Sequence, residues 1–449
     1  MNQNKTFTSD RTLFYGPTET VDETPIRTGK NVSDVTAMVV DCGLFVEMAR
    51  TLGRSYKKVY YCVPSWVTAF PRMNVGMIGT GFEEIEVCYS IFDRFEAVDL
   101  YVFPDVGFSR LQEYLLSQGK AVWGCGLAEK WEFDRVLCKE KMKELRLPVG
   151  PYEIVKGTEA LKKYLKDHKD QYVKISKWRG SFESFHSPNY KTVEPKLDEI
   201  DMQLGAFKYT TEFVCEDALN NKFEVAVDTY NIDGKIPKTV LIGCEIKDHG
   251  YLGQVCKYDD IPEPLKLFDK AFSAILKEDK CRSFYSPETR IGKDRIPYQI
   301  DLCIRAPSPG NEIYQCLYSN FAETIWEGGN GNCIDPKTNK KWAAEIIIHS
   351  SWACKNWQPI DFPKEMSEYV KLRNSVKING KLYTMPHVGT DVPEIGACVG
   401  YGNTMEDALK MAKIVGDSVE GYYVEIPDGS LNKAIEEIVK AKSFGAWVN

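Results

Sequence analysis

No CxxC pair occurs among the fourteen cysteines scattered from Cys42 to Cys398, and the five histidines stand at no zinc-binding spacing with them. Disulfide scaffolds are short and dense in cysteine, so scattered thiols in 449 residues read as a reduced, cytosolic protein. Basic charge is also scarce: 57 Lys and Arg face 64 Asp and Glu, leaving a formal net charge of -7. Long nucleic acid needs a basic face and is not an expected partner, although a nucleotide or single base remains open as a substrate. No apolar run approaches the ~18 residues of a membrane span, so no membrane partner is expected. The polar opening MNQNKTFTSDR has no apolar signal core. Low-complexity segments and short-period repeats are missing. No GxGxxG follows the first apolar strand, which argues against a dinucleotide site and an NAD-linked oxidoreductase.

What is present is a long chain with 43% hydrophobic and 27% charged residues, enough for roughly two to four domains. Residues 1–34 are polar and Thr-rich and read as an N-terminal arm or a late-added strand. Over 35–126, AMVVDCG, KVYYCVP, DLYVFPDVG and AVWGCG read as strands. LFVEMARTLG and FSRLQEYLLSQG read as the helices between them. That alternation predicts a parallel, doubly wound α/β sheet with ligands at the carboxyl ends of its strands. Those ends carry Asp41, Cys42 and Gly43, then Pro64 and Ser65, then Pro104 and Asp105. Asp105 is there either as a loop cap or as a substrate contact. Residues 127–335 mix strands and helices as an α+β unit. The Gly/Asn/Lys-rich run EGGNGNCIDPKTNKK suggests a boundary, and 336–449 adds further strands and a helix opened at Asn403–Thr404.

The chemistry concentrates in Ser283–Gly310, SFYSPETRIGKDRIPYQIDLCIRAPSPG, which predicts a β-hairpin turning at Gly292–Arg295. With the turn centred between Lys293 and Asp294, Glu288 pairs with Gln299, and Asp301 shares the face of Gln299 because strands repeat every two residues. Acid and amide oxygens on one face, with Arg305 beyond, suit Mg2+, which takes one or two protein carboxylates and fills its octahedron with phosphate and water. A solvated hairpin face presents the same residues, and a shift of register would break the pairing. Lys174 stands inside the apolar strand QYVKIS, where a semi-buried ammonium needs an anionic partner.

Taken in order, these parts resemble the ATP-grasp ligases, with a likeness to glycinamide ribonucleotide synthetase (phosphoribosylamine–glycine ligase) and its relatives. The resemblance runs from about Val35 onward and is best between Glu132 and Arg305. It implies an ATP-grasp fold behind a Rossmann-like pre-ATP-grasp domain, with ATP between two lobes. It places Arg135, followed one turn later by Lys139, and Lys174 on the ATP phosphates. The family's glycine loop is reduced here to Gly180 and Ser181. Glu212, Phe213 and Val214 match the adenine hinge, and Glu224 matches the acid that holds the ribose. Glu288, Gln299 and Asp301 match the metal strand, with the charge moved two residues along, and Arg305 would contact phosphate. Lys247, Asp248, His249 and Gly250 match an Asp–His loop near the amine substrate, and Asp105 an acid contact to the acceptor.

The activity implied is ATP- and Mg2+- (or Mn2+-) dependent joining of a small-molecule carboxylate to an amine through an acyl phosphate, releasing ADP. The amine could be on a small molecule or nucleotide, and the protein a monomer or homodimer. The reduced glycine loop and Gln299 also allow a non-catalytic nucleotide-binding scaffold.

Overall fold

The computed structural model describes residues 29–64, 75–177, 184–220, 222–386, 394–427, 429 and 431–448. Strands Lys58–Cys62, Thr36–Val40, Leu100–Val102 and Ala121–Trp123 fall where the apolar runs place them, with Glu86–Cys88 at one edge. Thr36–Val40 is buried at every position, which is what a parallel strand covered on both faces requires. Val35, Ala37 and Val39 pack with Val46, Ala49 and Leu52 on one side. Met38, Val40 and Tyr60 pack with Leu115 on the other. All pairings are parallel, in the order Glu86–Cys88, Lys58–Cys62, Thr36–Val40, Leu100–Val102, Ala121–Trp123. The order reverses at Thr36–Val40, so Asp41 and Asp105 lie at a topological switch point.

A small antiparallel sheet follows, ordered Tyr152–Lys156, Glu212–Asp217, Gln171–Ile175, Ser184–Ser187. Helices Thr158–Asp167 and Tyr190–Leu204 cover one face through Leu161, Leu165, Val193, Leu197 and Ile200, which meet Val155, Val173 and Phe213. The second helix, capped by Asn189, carries Pro195 in its interior, and that proline hid it from a reading of the sequence.

The rest is a nine-stranded sheet and a four-stranded one, ordered Ser375–Ile378, Lys381–Thr384, Gln358–Asp361, Glu420–Gly421. The main path of the nine-stranded sheet runs Tyr298–Cys303, Arg282–Ile291, Phe223–Ile232, Thr239–Ile246, Gly250–Lys257, Trp342–Ser350, Glu394–Gly402 and Val370–Leu372. The boundary expected at 335/336 is not a break in this sheet, because Trp342–Ser350 pairs with Gly250–Lys257 across it. Nor is the Gly-rich run a linker. It contains the end of helix Phe321–Gly329, and a Cβ on Gly328 would lie 2.4 Å from Trp123. These glycines let the helix lie directly on the first sheet.

Candidate functional site

Pleating turns Val173 and Ile175 into the small-lobe core, and Lys174 the other way. Its Nζ donates to the Ile300 carbonyl at 2.6 Å and lies 3.0 Å from Glu216 Oε2 and 3.6 Å from Asp301 Oδ2. Lys139, on helix Arg135–Glu144, reaches the other Glu216 oxygen at 2.5 Å and the Gln299 carbonyl at 3.1 Å. Arg135 donates from Nη1 to the Ile175 carbonyl at 2.9 Å. Thus predicted Lys174 and predicted Asp301 do meet, and Glu216, a small-lobe acid not singled out from sequence, joins Lys174 to Lys139. Burial alone would raise Asp301, but Lys174 and Arg135 outweigh it and hold the carboxyl well below the usual range. Glu216 is lowered against its own burial by Lys174 and Lys139. Burial works against the Lys174 charge, yet Asp301 and Glu216 raise its pKa above the ordinary value.

The hairpin register differs from the expected one. Glu288 pairs with Asp301 and Thr289 with Gln299, so one step on the first strand spans two on its partner. Ile300 is the extra residue of a β-bulge, which reverses the side-chain alternation at that point. Asp301 therefore shares the Glu288 face, and Gln299 is removed from the acid set. The Gln299 amide donates to the carbonyls of Glu288 and Asp301, both at 2.8 Å, and accepts from Thr289 Oγ1 at 3.3 Å. It packs beside Leu147, Pro148 and Phe268. The same bulge aims the Ile300 carbonyl at Lys174.

Beside Glu288 opens a small cleft lined by Glu224, Asp228, Glu245, Tyr251, Ser286 and Pro307, among others. Asp228 is satisfied by the Tyr251 and Ser286 hydroxyls, and Glu224 by Arg290 at 3.1 Å. Burial, then Asp301, Glu245 and Glu224, push the Glu288 carboxyl well above its ordinary pKa. Burial, Glu224 and Asp228 do the same to Glu245, a second acid not singled out from sequence. Among the described residues, no three His, Cys, Asp or Glu side chains form an all-protein metal site. The excess of negative charge around Glu288 and Asp301 nevertheless fits a divalent cation that takes part of its shell from phosphate and water.

Arg305 does not point an uncommitted guanidinium at this cleft. Its Nε lies 2.7 Å from Glu132 Oε1 and 3.6 Å from Asp105 Oδ1. Asp105 also caps Val106 N–H and lies 3.9 Å from Cys42 Sγ, so it serves as a loop cap and as an ion partner at the switch point. The segment Lys247–Gly250 turns between strands Thr239–Ile246 and Gly250–Lys257, with Asp248 at φ 63°. Lys247 Nζ is 3.2 Å from Ser184 Oγ of the small lobe, and the His249 ring stands 5.8 Å from that of His349. Gly250 is pressed against the Glu345 carbonyl. Phe213 belongs to the small-lobe core. Glu212 is half-buried at the strand's start, and Val214 lies directly opposite Lys174. Gly180 and Ser181 lie outside the described residues.

No family model and no curated protein matches the chain. Solved structures do match it. Phosphoribosylamine–glycine ligase from Thermotoga maritima superposes with a TM-score of 0.64 at 17% identity, over 87% of this chain and 99% of that one. An L-amino acid ligase from Bacillus licheniformis gives 0.57 at 14%, over 87% and 99%. The biotin carboxylase domain dimer of Hydrogenobacter thermophilus 2-oxoglutarate carboxylase, solved with MgADP, ADP and bicarbonate, gives 0.61 at 12%, over 92% and 99%. The fold is therefore that of the ATP-grasp proteins.

Proposed function

We propose that this chain is an ATP-dependent carboxylate–amine ligase that forms an amide through an acyl phosphate and releases ADP and phosphate. The observation that carries this reading is the convergence of Lys174 and Asp301, from two lobes, at 3.6 Å. Arg135, Lys139 and Lys174 would neutralise the triphosphate, and the adenine would rest against the Val214 face of the small sheet. Glu288 and Asp301 would hold Mg2+ or Mn2+, which supplies charge neutralisation at the transferring phosphoryl group. Phosphoryl transfer to a carboxylate concentrates negative charge, so positioned cations do most of the work. The turn Lys247–Gly250, near the small-lobe edge at Ser184, would meet the incoming amine, and Asp248 or His249 would take its proton. Asp105 and Arg305 would line the acceptor side at the switch point.

ADP release should be measured with ATP, Mg2+ and panels of amino acids and amines. Formation of AMP and pyrophosphate would overturn the reading, as would silence on every pair together with undetectable nucleotide binding. A non-catalytic scaffold is favoured by one observation, the withdrawal of Gln299 from the acid face. Calorimetry separates the two: a scaffold binds ATP with little dependence on Mg2+ and never turns it over.

A further inference from the structure

We infer that Glu132 is a positioning residue that fixes the metal-bearing strand and Arg305 relative to the phosphate-facing helix, an inference resting on the ligase reading above. Glu132 is only 4% exposed. It lies in the short helix Glu129–Phe133, and helix Arg135–Glu144, carrying Arg135 and Lys139, begins two residues after its end. Its two oxygens are divided between two consecutive residues of another element. Oε2 accepts from the Ile304 backbone N–H at 2.8 Å, and Oε1 from Arg305 Nε at 2.7 Å.

The strand it holds, Tyr298–Cys303, forms one edge of the nine-stranded sheet, and its ladder to Arg282–Ile291 ends at Ser286 and Cys303. Ile304 is thus the first residue beyond the ladder, and its N–H is one that edge geometry would leave without a strand partner. Glu132 supplies that acceptor as a charge-assisted bond, the strong kind. Asp301 lies three residues upstream, just after the Ile300 bulge, where the ladder is locally disrupted and least able to set the strand's position by itself. The carboxylate therefore substitutes for the missing ladder. Arg305 in turn reaches Asp105 at 3.6 Å, so one buried side chain ties together the helix of Arg135, the strand of Asp301 and the switch point of the first sheet. It acts through Ile304 and Arg305, the residues it orients.

The experiment is a titration of ADP binding against Mg2+ for the wild-type chain, E132A and E132Q, read by calorimetry below the melting temperature of each protein. Loss of a supporting partner typically weakens metal affinity by about 10- to 100-fold, and E132A should shift the Mg2+ midpoint by that factor. E132Q keeps an acceptor for Ile304 N–H but loses the ionic bond to Arg305, so its shift should be smaller. A merely structural role would lower melting temperature and leave both midpoints unchanged, which would overturn the inference. Should E132A fail to fold, E132Q decides: a shifted midpoint supports the role and an unshifted one overturns it. Absence of nucleotide binding by the wild-type chain would instead remove the ligase reading, and this inference with it.

Discussion

Three oxygens converge on the Lys174 ammonium, from Ile300, Glu216 and Asp301. Breaking a buried ion pair from one side leaves charge without compensation, at about 3–5 kcal/mol. K174M should therefore abolish ADP formation and lower stability by several kcal/mol, on the order of 3, as read by urea melts alongside turnover. A second prediction concerns Asp269, which burial raises to about 6 although the hydroxyls of Tyr258 and Tyr285 donate to it. The folded state holds this proton more tightly than the unfolded chain. Its contribution is complete below the ordinary value of 3.8 and is lost as pH rises through about 6. The stability difference between wild type and D269N should then fall across that window and flatten above it. Denaturant melts at a series of pH values would show this, and a constant difference would contradict the assignment.

One inserted residue in one strand selects which side chains face Glu288. Deleting Ile300 should restore simple alternation, keep Asp301 opposite Glu288 and Gln299 opposite Thr289, and remove the carbonyl from Lys174. Nucleotide binding should then weaken but keep its Mg2+ dependence while unfolding stays cooperative; calorimetry with and without Mg2+ tests it, and loss of the dependence would contradict this register. The bulge also explains what could and could not be read beforehand. Lys174 was legible because an ammonium amid Val173 and Ile175 violates the burial pattern of its own strand. Gln299 was misassigned because a bulge leaves no mark in a two-residue period. Glu216 and Glu245 were passed over because acids on strands are commonplace, and only the cations or acids brought opposite them from other elements mark these two.

Across the whole molecule, the first sheet meets the last lobe at Gly43, where φ is +110° and a Cβ would stand 2.5 Å from Asn374 Oδ1. G43A should cost about 1–3 kcal/mol through backbone strain and this contact, measurable as a lowered melting temperature. On the ligase reading, a bound nucleotide would hold the lobes together and stabilise the fold by mass action. ADP with Mg2+ at 100 times its Kd should add about 2.7 kcal/mol, visible as a raised melting temperature that chelation of Mg2+ reverses. No helix among the described residues is long and apolar enough to cross a membrane.

The sequence by itself determined the local elements. Apolar runs buried on both faces can only be inner strands of a layered sheet, and their alternation with helices makes that sheet parallel. It also determined the order of cation-bearing and acid-bearing segments, since each segment's character is local. The tertiary structure alone decided register, facing and partnership: Asp301 rather than Gln299 beside Glu288, Arg305 bound to Glu132, and one sheet taking strands from both sides of residues 335 and 336. Those outcomes depend on contacts between residues far apart in the chain, and no short-range pattern encodes them.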